Sequence, residues 1–419
     1  MPMSPNFKKR LFSKLPKIIE EFGTPFHIYD EEGIIDTCNF VKKSFTNIYG
    51  FQEYYAVKAL PNPEIMKTIS NQGFGFDCSS IMELELAESI GATGDKVMFT
   101  SNNTTQKDFE EALKRNVIIN LDDISLIDKV PTPFPSVICF RYNPGPDRTG
   151  NSIIGNPVEA KYGITKEQLI PAYKKAQDKG AKHFGIHTMV CSNERNYEYM
   201  VETVRMLLSL CLTLKKELNV ECEFMNMGGG IGIPYKKEDN EFDIQKLGAA
   251  LHEILDEFKK ENNFVPKLFM ESGRYITGPS GVLVSRVINR KEIYQTHVGV
   301  DTGMEALMRP AMYGAYHHIT VLDKNGKVIT NEERENEIVN VVGAICENCD
   351  RLATQRDLPK TIDGDIIVTH DTGAHGLAMG FNYNGRLRPQ ELYLKKDGTV
   401  KRIRRAETNE DLWRTLREV

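Results

Sequence analysis

Long apolar runs are absent from this 419-residue chain. Nothing approaches the roughly 20 consecutive apolar residues of a membrane helix, so no spanning segment is expected. Cysteine is sparse: eight residues, among them Cys78, Cys139, Cys191, Cys346 and Cys349, are scattered rather than gathered into the dense framework of a small secreted domain. Reduced thiols in a cytosol are therefore expected. Only Cys346 and Cys349 have Cys-x-x-Cys spacing, and no second pair stands near enough to complete a zinc site. Basic excess is missing too, with 53 Lys and Arg against 58 Asp and Glu. The formal charge of −5 argues against a general nucleic-acid surface. Low-complexity linkers and short repeats do not occur. The start, Met1 to Lys17, is basic without the apolar centre of a secretory signal, and is expected to be a frayed terminus.

What is present is ordinary soluble-protein composition, 40% hydrophobic and 26% charged, in a chain long enough for two domains. Short β-rich runs alternate with helix-period stretches. The expected strands are Glu53–Lys58, Gly75–Ser79, Lys96–Thr100, Val117–Leu121, Ser136–Tyr142, His183–Met189, Glu221–Met227 and Lys267–Glu271. The helical stretches between them stop at glycines such as Gly73, Gly91 and Gly180. Eight such units imply an α/β fold, a (β/α)8 barrel, with a doubly wound open sheet as the alternative. After Gly278 the texture turns mostly β: Val282–Ile288, His297–Val300, His317–Leu322, Glu337–Ala344, Asp365–Val368 and Gln390–Lys395. The strand-like Pro25–Tyr29 is expected to pair with this sheet. That gives a barrel over 31–280 and a discontinuous β-rich domain from 1–30 and 281–419.

In a barrel, reactive groups gather at the C-terminal ends of strands. Lys58 ends the first, where a Schiff-base amine would be desolvated; the plainer alternative is a lysine snorkelling to solvent. Gly228-Gly229-Gly230 follows the seventh strand and would let backbone N–H groups approach a phosphate, although tight turns also use glycine. Ser192, after the sixth, is a further candidate phosphate donor. Glu271-Ser272-Gly273-Arg274 ends the eighth, placing a carboxylate at the barrel mouth, where it needs a partner. The β-rich half adds Arg309-Pro310 with Tyr313, Cys346-Glu347 with Asp350, and Tyr383-Asn384. Ordinary readings of these are a rim arginine, a small core cysteine and a packed aromatic. Met304, Met308 and Met312 stand at helical spacing and are expected in the core.

Taken in order, these motifs resemble the fold-type III pyridoxal-phosphate decarboxylases, and most closely the diaminopimelate decarboxylase family. The resemblance runs from Thr24-Pro25-Phe26 to Tyr383-Asn384-Gly385-Arg386. It implies a cofactor, pyridoxal 5'-phosphate, and a head-to-tail homodimer without nucleic-acid or membrane partners. It implies that Lys58 holds the cofactor covalently, that Glu271 faces the pyridine nitrogen, and that Ser192, Gly229, Gly230 and Gly273 hold the phosphate. Arg274 and Tyr383 are implied to touch both cofactor and substrate; Arg309, Tyr313 and Glu347 are implied to bind substrate. Cys346, which returns a proton to Cα, and Glu347 are implied to serve the partner subunit's site.

The implied reaction is decarboxylation of meso-2,6-diaminopimelate to L-lysine. Glu347 suits the distal ammonium, and the planar forks of Arg274 and Arg309 suit the distal carboxylate. Two positions depart from the family's pattern. Met189 stands where a histidine usually stacks on the cofactor ring, with His187 two residues earlier on the same strand face, and Ser272 replaces a proline. A thioether can also contact an aromatic face. Rival readings are a decarboxylase of ornithine, arginine or another polyamine precursor, a racemase, and a non-catalytic cofactor-binding protein. The racemases place an arginine against the ring nitrogen, where this chain has Glu271.

Overall fold

The computed structural model describes residues 3–150 and 155–417. The chain divides into two compact units, one of Asp36–Ile233 with Asn240–Tyr275, the other of Met1–Ile35, Pro234–Asp239 and Ile276–Val419. Residues 234–239 thus cluster with the second unit, although they fall inside the expected barrel span.

Strand β1 (Phe26–Asp30) belongs to the second unit. The first unit holds β2 (Gln52–Ala56), β3 (Gly75–Cys78), β4 (Val97–Ser101), β5 (Ile118–Leu121), β6 (Val137–Tyr142), β7 (His183–Thr188), β8 (Cys222–Asn226) and β9 (Lys267–Met270). They form a closed barrel, β9 pairing in parallel with β2, which rules out the open sheet. Each expected strand is present within two residues of its bounds. The helices between them start on side-chain caps. The Thr105 and Asp108 pair opens Gln106–Lys114, and Ser80 accepts from the Glu83 N–H at the head of Ile81–Ser89.

Alternate residues of a barrel strand point inward, so the interior is built in layers. One layer is apolar: Tyr54, Met98, Cys139, Phe224 and Phe269 form one buried cluster. Its rings need space that only glycine leaves. A Cβ on Gly185 would fall 2.1 Å from the Phe224 ring. Two residues further along every strand but β2, which has Ala56 there, the inward position turns polar, giving Asp77, Thr100, Asn120, Arg141, His187, Asn226 and Glu271, all buried. This second layer lies at the C-terminal ends of the strands.

In the second unit, β1 joins β10 (Gly281–Glu292), β11 (Thr296–Val300), β12 (Ile319–Leu322), β13 (Asn336–Val342), β14 (Arg351–Pro359), β15 (Ile366–Thr369), β16 (Gln390–Leu394) and β17 (Val400–Arg404). The sheet runs β14-β13-β11-β10-β1-β16-β17, with β15 pairing β10 and β12. Three expectations fail here. From Met3 to Lys17 the chain is not frayed: helices Pro5–Phe12 and Leu15–Phe22 bury Phe7, Leu11, Leu15 and Ile18 in one core with Phe26, Ile28, Val282, Val284, Leu392 and Leu394. The basic residues masked an apolar stripe at helical spacing. Strands β14 and β17 were not foreseen, because their polar sequences lack clean alternation. The methionines are not core: Met312 is exposed, Met304 and Met308 are half-buried, and 301–308 is not helical. Among the described residues, no helix is long and apolar enough to cross a membrane.

Candidate active site

The second barrel layer closes around Glu271. Its Oε1 accepts from Asn226 Nδ2 at 2.7 Å, and its Oε2 from His187 Nε2 at 3.1 Å. Burial pushes this carboxyl up, but the charge and hydrogen bond of His187, joined by Lys58 and Arg141, outweigh it and hold it below the ordinary carboxylate range. Glu271 is therefore an ionised acceptor inside the barrel. With Nε2 committed to Glu271, the buried Nδ1 of His187 has no partner among the described residues. The backbone after Glu271 is tied down as well, because Ser272 N–H donates to the buried carboxyl of Glu53. A proline at 272, the residue usual in the resembled family, has no such donor.

Lys58 lies just past β2, in the turn Val57–Ala59, and is exposed rather than desolvated. Its charge is felt by Asp77, Glu83 and Glu271. Burial and the like charge of Glu271 push Asp77 up to about 8, against the pull of Lys58. The expected desolvation of Lys58 is not found; its charge acts instead on the carboxyls near it.

The glycine run is required by the barrel itself. Gly228 and Gly230 have φ of +73° and +101°, and a Cβ on Gly229 would stand 2.2 Å from the Glu271 carbonyl oxygen. Among the described residues, neither the Gly229 nor the Gly230 N–H donates to another group. Arg274 is buried with Nη2 3.5 Å from Ser192 Oγ, and Gly273 packs so that a Cβ would meet that of Ala59 at 2.7 Å. Met189 is half-buried and its Sδ lies beside Gly228, 3.2 Å from where a Cβ there would stand.

In the sheet unit the ordinary readings invert. Arg309 is buried at 3% exposure rather than on a rim; Cys346 is exposed rather than in the core, and Tyr383 is exposed rather than packed. Tyr313 and Glu347 are also exposed. Cys346 Sγ lies 3.8 Å from the Tyr383 hydroxyl, and the Cys346 N–H donates to Asn384 Oδ1 at 2.8 Å. Cys346 and Glu347 together push the Tyr383 hydroxyl up. Asp350 is scaffold: its carboxylate accepts from Met304 N–H at 2.7 Å and Ile345 N–H at 2.8 Å, fixing the loop that carries Cys346.

Asp77, Arg141 and Asn226 were missed from sequence. Their signal is regular, a single polar residue at the inward position near the end of a barrel strand. Reading it needs the strand phase, which a lone polar residue does not supply.

Comparison with known proteins follows the same lines. Residues 32–278 match the family described as pyridoxal-dependent decarboxylase, pyridoxal binding domain. Protein TabA of Pseudomonas amygdali pv. tabaci is 44% identical over 98% of this chain and 95% of its own length. The diaminopimelate decarboxylase of Methanothermobacter thermautotrophicus is 32% identical over 95% of this chain and 92% of its own. The M. jannaschii diaminopimelate decarboxylase solved in co-complex with L-lysine superposes with a TM-score of 0.87 at 30% identity, covering 96% of this chain and 94% of that one. The chain belongs to the pyridoxal-dependent decarboxylase family, with pyridoxal 5'-phosphate as its cofactor.

Proposed function

We propose that this chain decarboxylates meso-2,6-diaminopimelate to L-lysine. The observation that carries the reading is the ionised Glu271, buried in the barrel and oriented by Asn226 and His187.

The barrel residues fit pyridoxal phosphate. Glu271 is an acceptor for a protonated ring nitrogen, Lys58 is an amine for the aldehyde, and Gly229 and Gly230 have uncommitted N–H groups for phosphate, with Ser192, Gly273 and Arg274 beside them. When bound, this cofactor draws into its ring the electron pair left as the carboxyl group departs. Glu271 would keep the ring nitrogen protonated, and Met189 would offer its thioether to the ring. Lys58 would hold the cofactor through its side-chain amine. Cys346 then delivers its proton to Cα, with Tyr383 orienting the thiol. Arg309 and Arg274 take the distal carboxylate, Glu347 the distal ammonium, and Tyr313 and Tyr383 line the substrate. The active species is a homodimer in which Cys346 and Glu347 serve the partner's site, and its place is the cytosol.

The test is CO2 release by the cofactor-loaded protein from meso-diaminopimelate, L-ornithine, L-arginine and L-lysine, each offered alone. Release from diaminopimelate with L-lysine as product is expected; release confined to another substrate overturns the reading. One observation favours a second reading. The 44% identity to Protein TabA exceeds the 32% to the M. thermautotrophicus diaminopimelate decarboxylase. In that reading the same residues decarboxylate a different long amino acid, and none of the four substrates releases CO2.

A further inference from the structure

Arg309 opens the short helix Arg309–Tyr313 and is almost fully buried. Its Nη1 lies 2.7 Å from His317 Nε2, and His317 Nδ1 lies 2.8 Å from the carbonyl oxygen of His370. A carbonyl only accepts, so Nδ1 carries the proton; Nε2 then presents a lone pair, into which the guanidinium donates. One tautomer alone satisfies both contacts, and in it the imidazole is neutral. The Tyr235 ring stands 4.7 Å from the guanidinium carbon, and His317 meets that ring edge-on at 5.1 Å. Tyr235 comes from Pro234–Asp239, the segment that leaves the barrel sequence to join the sheet unit.

We propose that His317 and Tyr235 are positioning residues that set the plane of the Arg309 guanidinium, and through it the selection of substrates with a carboxylate at the far end. The proposal rests on the reading above that Arg309 receives that carboxylate. The imidazole orients the guanidinium through a directional hydrogen bond, and the aromatic face through its π surface. The buried carboxyl of Asp371 also feels the charge of Arg309. A guanidinium fixed beforehand loses little freedom when it grips a ligand bidentately.

The test uses the holoenzyme and the variants His317→Phe, His317→Gln, Tyr235→Leu and Tyr235→Phe. KM and kcat for meso-diaminopimelate are measured, with inhibition constants for L-lysine and for cadaverine, which is L-lysine without its carboxylate. His317→Phe and Tyr235→Leu are expected to raise KM and the L-lysine constant about tenfold, the scale of one charge-assisted bond. The kcat stays within about twofold and the cadaverine constant does not move. His317→Gln, whose amide oxygen replaces Nε2, and Tyr235→Phe, which keeps the ring, recover most of the loss. Equal weakening of L-lysine and cadaverine, or no change in either, overturns the proposal. Should His317→Phe melt at a much lower temperature, Tyr235→Leu alone decides. A wild-type holoenzyme inert toward diaminopimelate fails at the first arm, sinking the substrate reading and the specificity role with it.

Discussion

Glu271 shows how one side chain is set by opposing forces. Burial pushes it toward the protonated form, and the charge and hydrogen bond of His187, with the charges of Lys58 and Arg141, keep it ionised. Glu271→Gln preserves the shape and removes the charge. The holoprotein should still bind cofactor, but its kcat for CO2 release should fall by about two orders of magnitude; a loss below tenfold would mean that the charge is dispensable. Ser272 makes a second prediction. Ser272→Pro deletes the N–H that Glu53 accepts and leaves a buried carboxyl oxygen unpaired. Denaturant unfolding of the apoprotein should register a loss of roughly 1–3 kcal/mol, and an unchanged midpoint would show that the bond contributes nothing.

At the scale of elements, the glycine run links the ends of β8 and β9. Gly229→Ala sets a methyl group against the Glu271 backbone, which cannot swing away as a flexible side chain would. Shifting that strand end should weaken cofactor retention on gel filtration by at least about tenfold, more than loss of one phosphate contact would. Wild-type retention would show that the strand ends yield freely. The eight barrel strands were legible because each is a short apolar run and glycines such as Gly73, Gly91 and Gly180 end helices between them, and the strand ends displayed Lys58, Glu271 and the glycine run directly. What stayed hidden depends on pairing across distance. The β14 sequence acquires strand character by lying against β13, with two register shifts. The two N-terminal helices are apolar on one face only, a stripe that lysines interrupt in the text. Asn226 and His187 look like blemishes in apolar strands until the barrel turns them inward together. The Arg309 and His317 pair has no local signature, since eight residues separate its members across a turn.

For the whole molecule, acid stability turns partly on His27, fully buried in β1. Its Nε2 donates to the Ala306 carbonyl at 3.1 Å and its Nδ1 lies 3.2 Å from the Thr372 hydroxyl. Burial lowers its pKa from 6.5 to about 4, against the opposing pull of Glu391 and the carbonyl. The folded protein therefore keeps His27 neutral where the unfolded chain would protonate it. This stability is complete above pH 6.5 and is lost as pH falls toward about 4. Between pH 7.5 and pH 5 the wild type should lose about 2 kcal/mol more than His27→Gln in urea unfolding. Parallel losses in the two proteins would remove His27 from the account.

The position of β1 in the sheet has a further consequence. It is an interior strand, antiparallel to β10 on one side and parallel to β16 on the other, with Phe26 opposite Val284 and Gln390. Both neighbours are encoded far downstream, so a ribosome that has just released β1 must still make about 360 residues before β16 emerges. At roughly 5–20 residues per second, that is a wait of about 20–70 s. All eight barrel strands appear within that interval. The first strand to be synthesised is thus among the last to be covered, and the nascent chain carries Phe26 and Ile28 bare while the barrel has everything it needs to close.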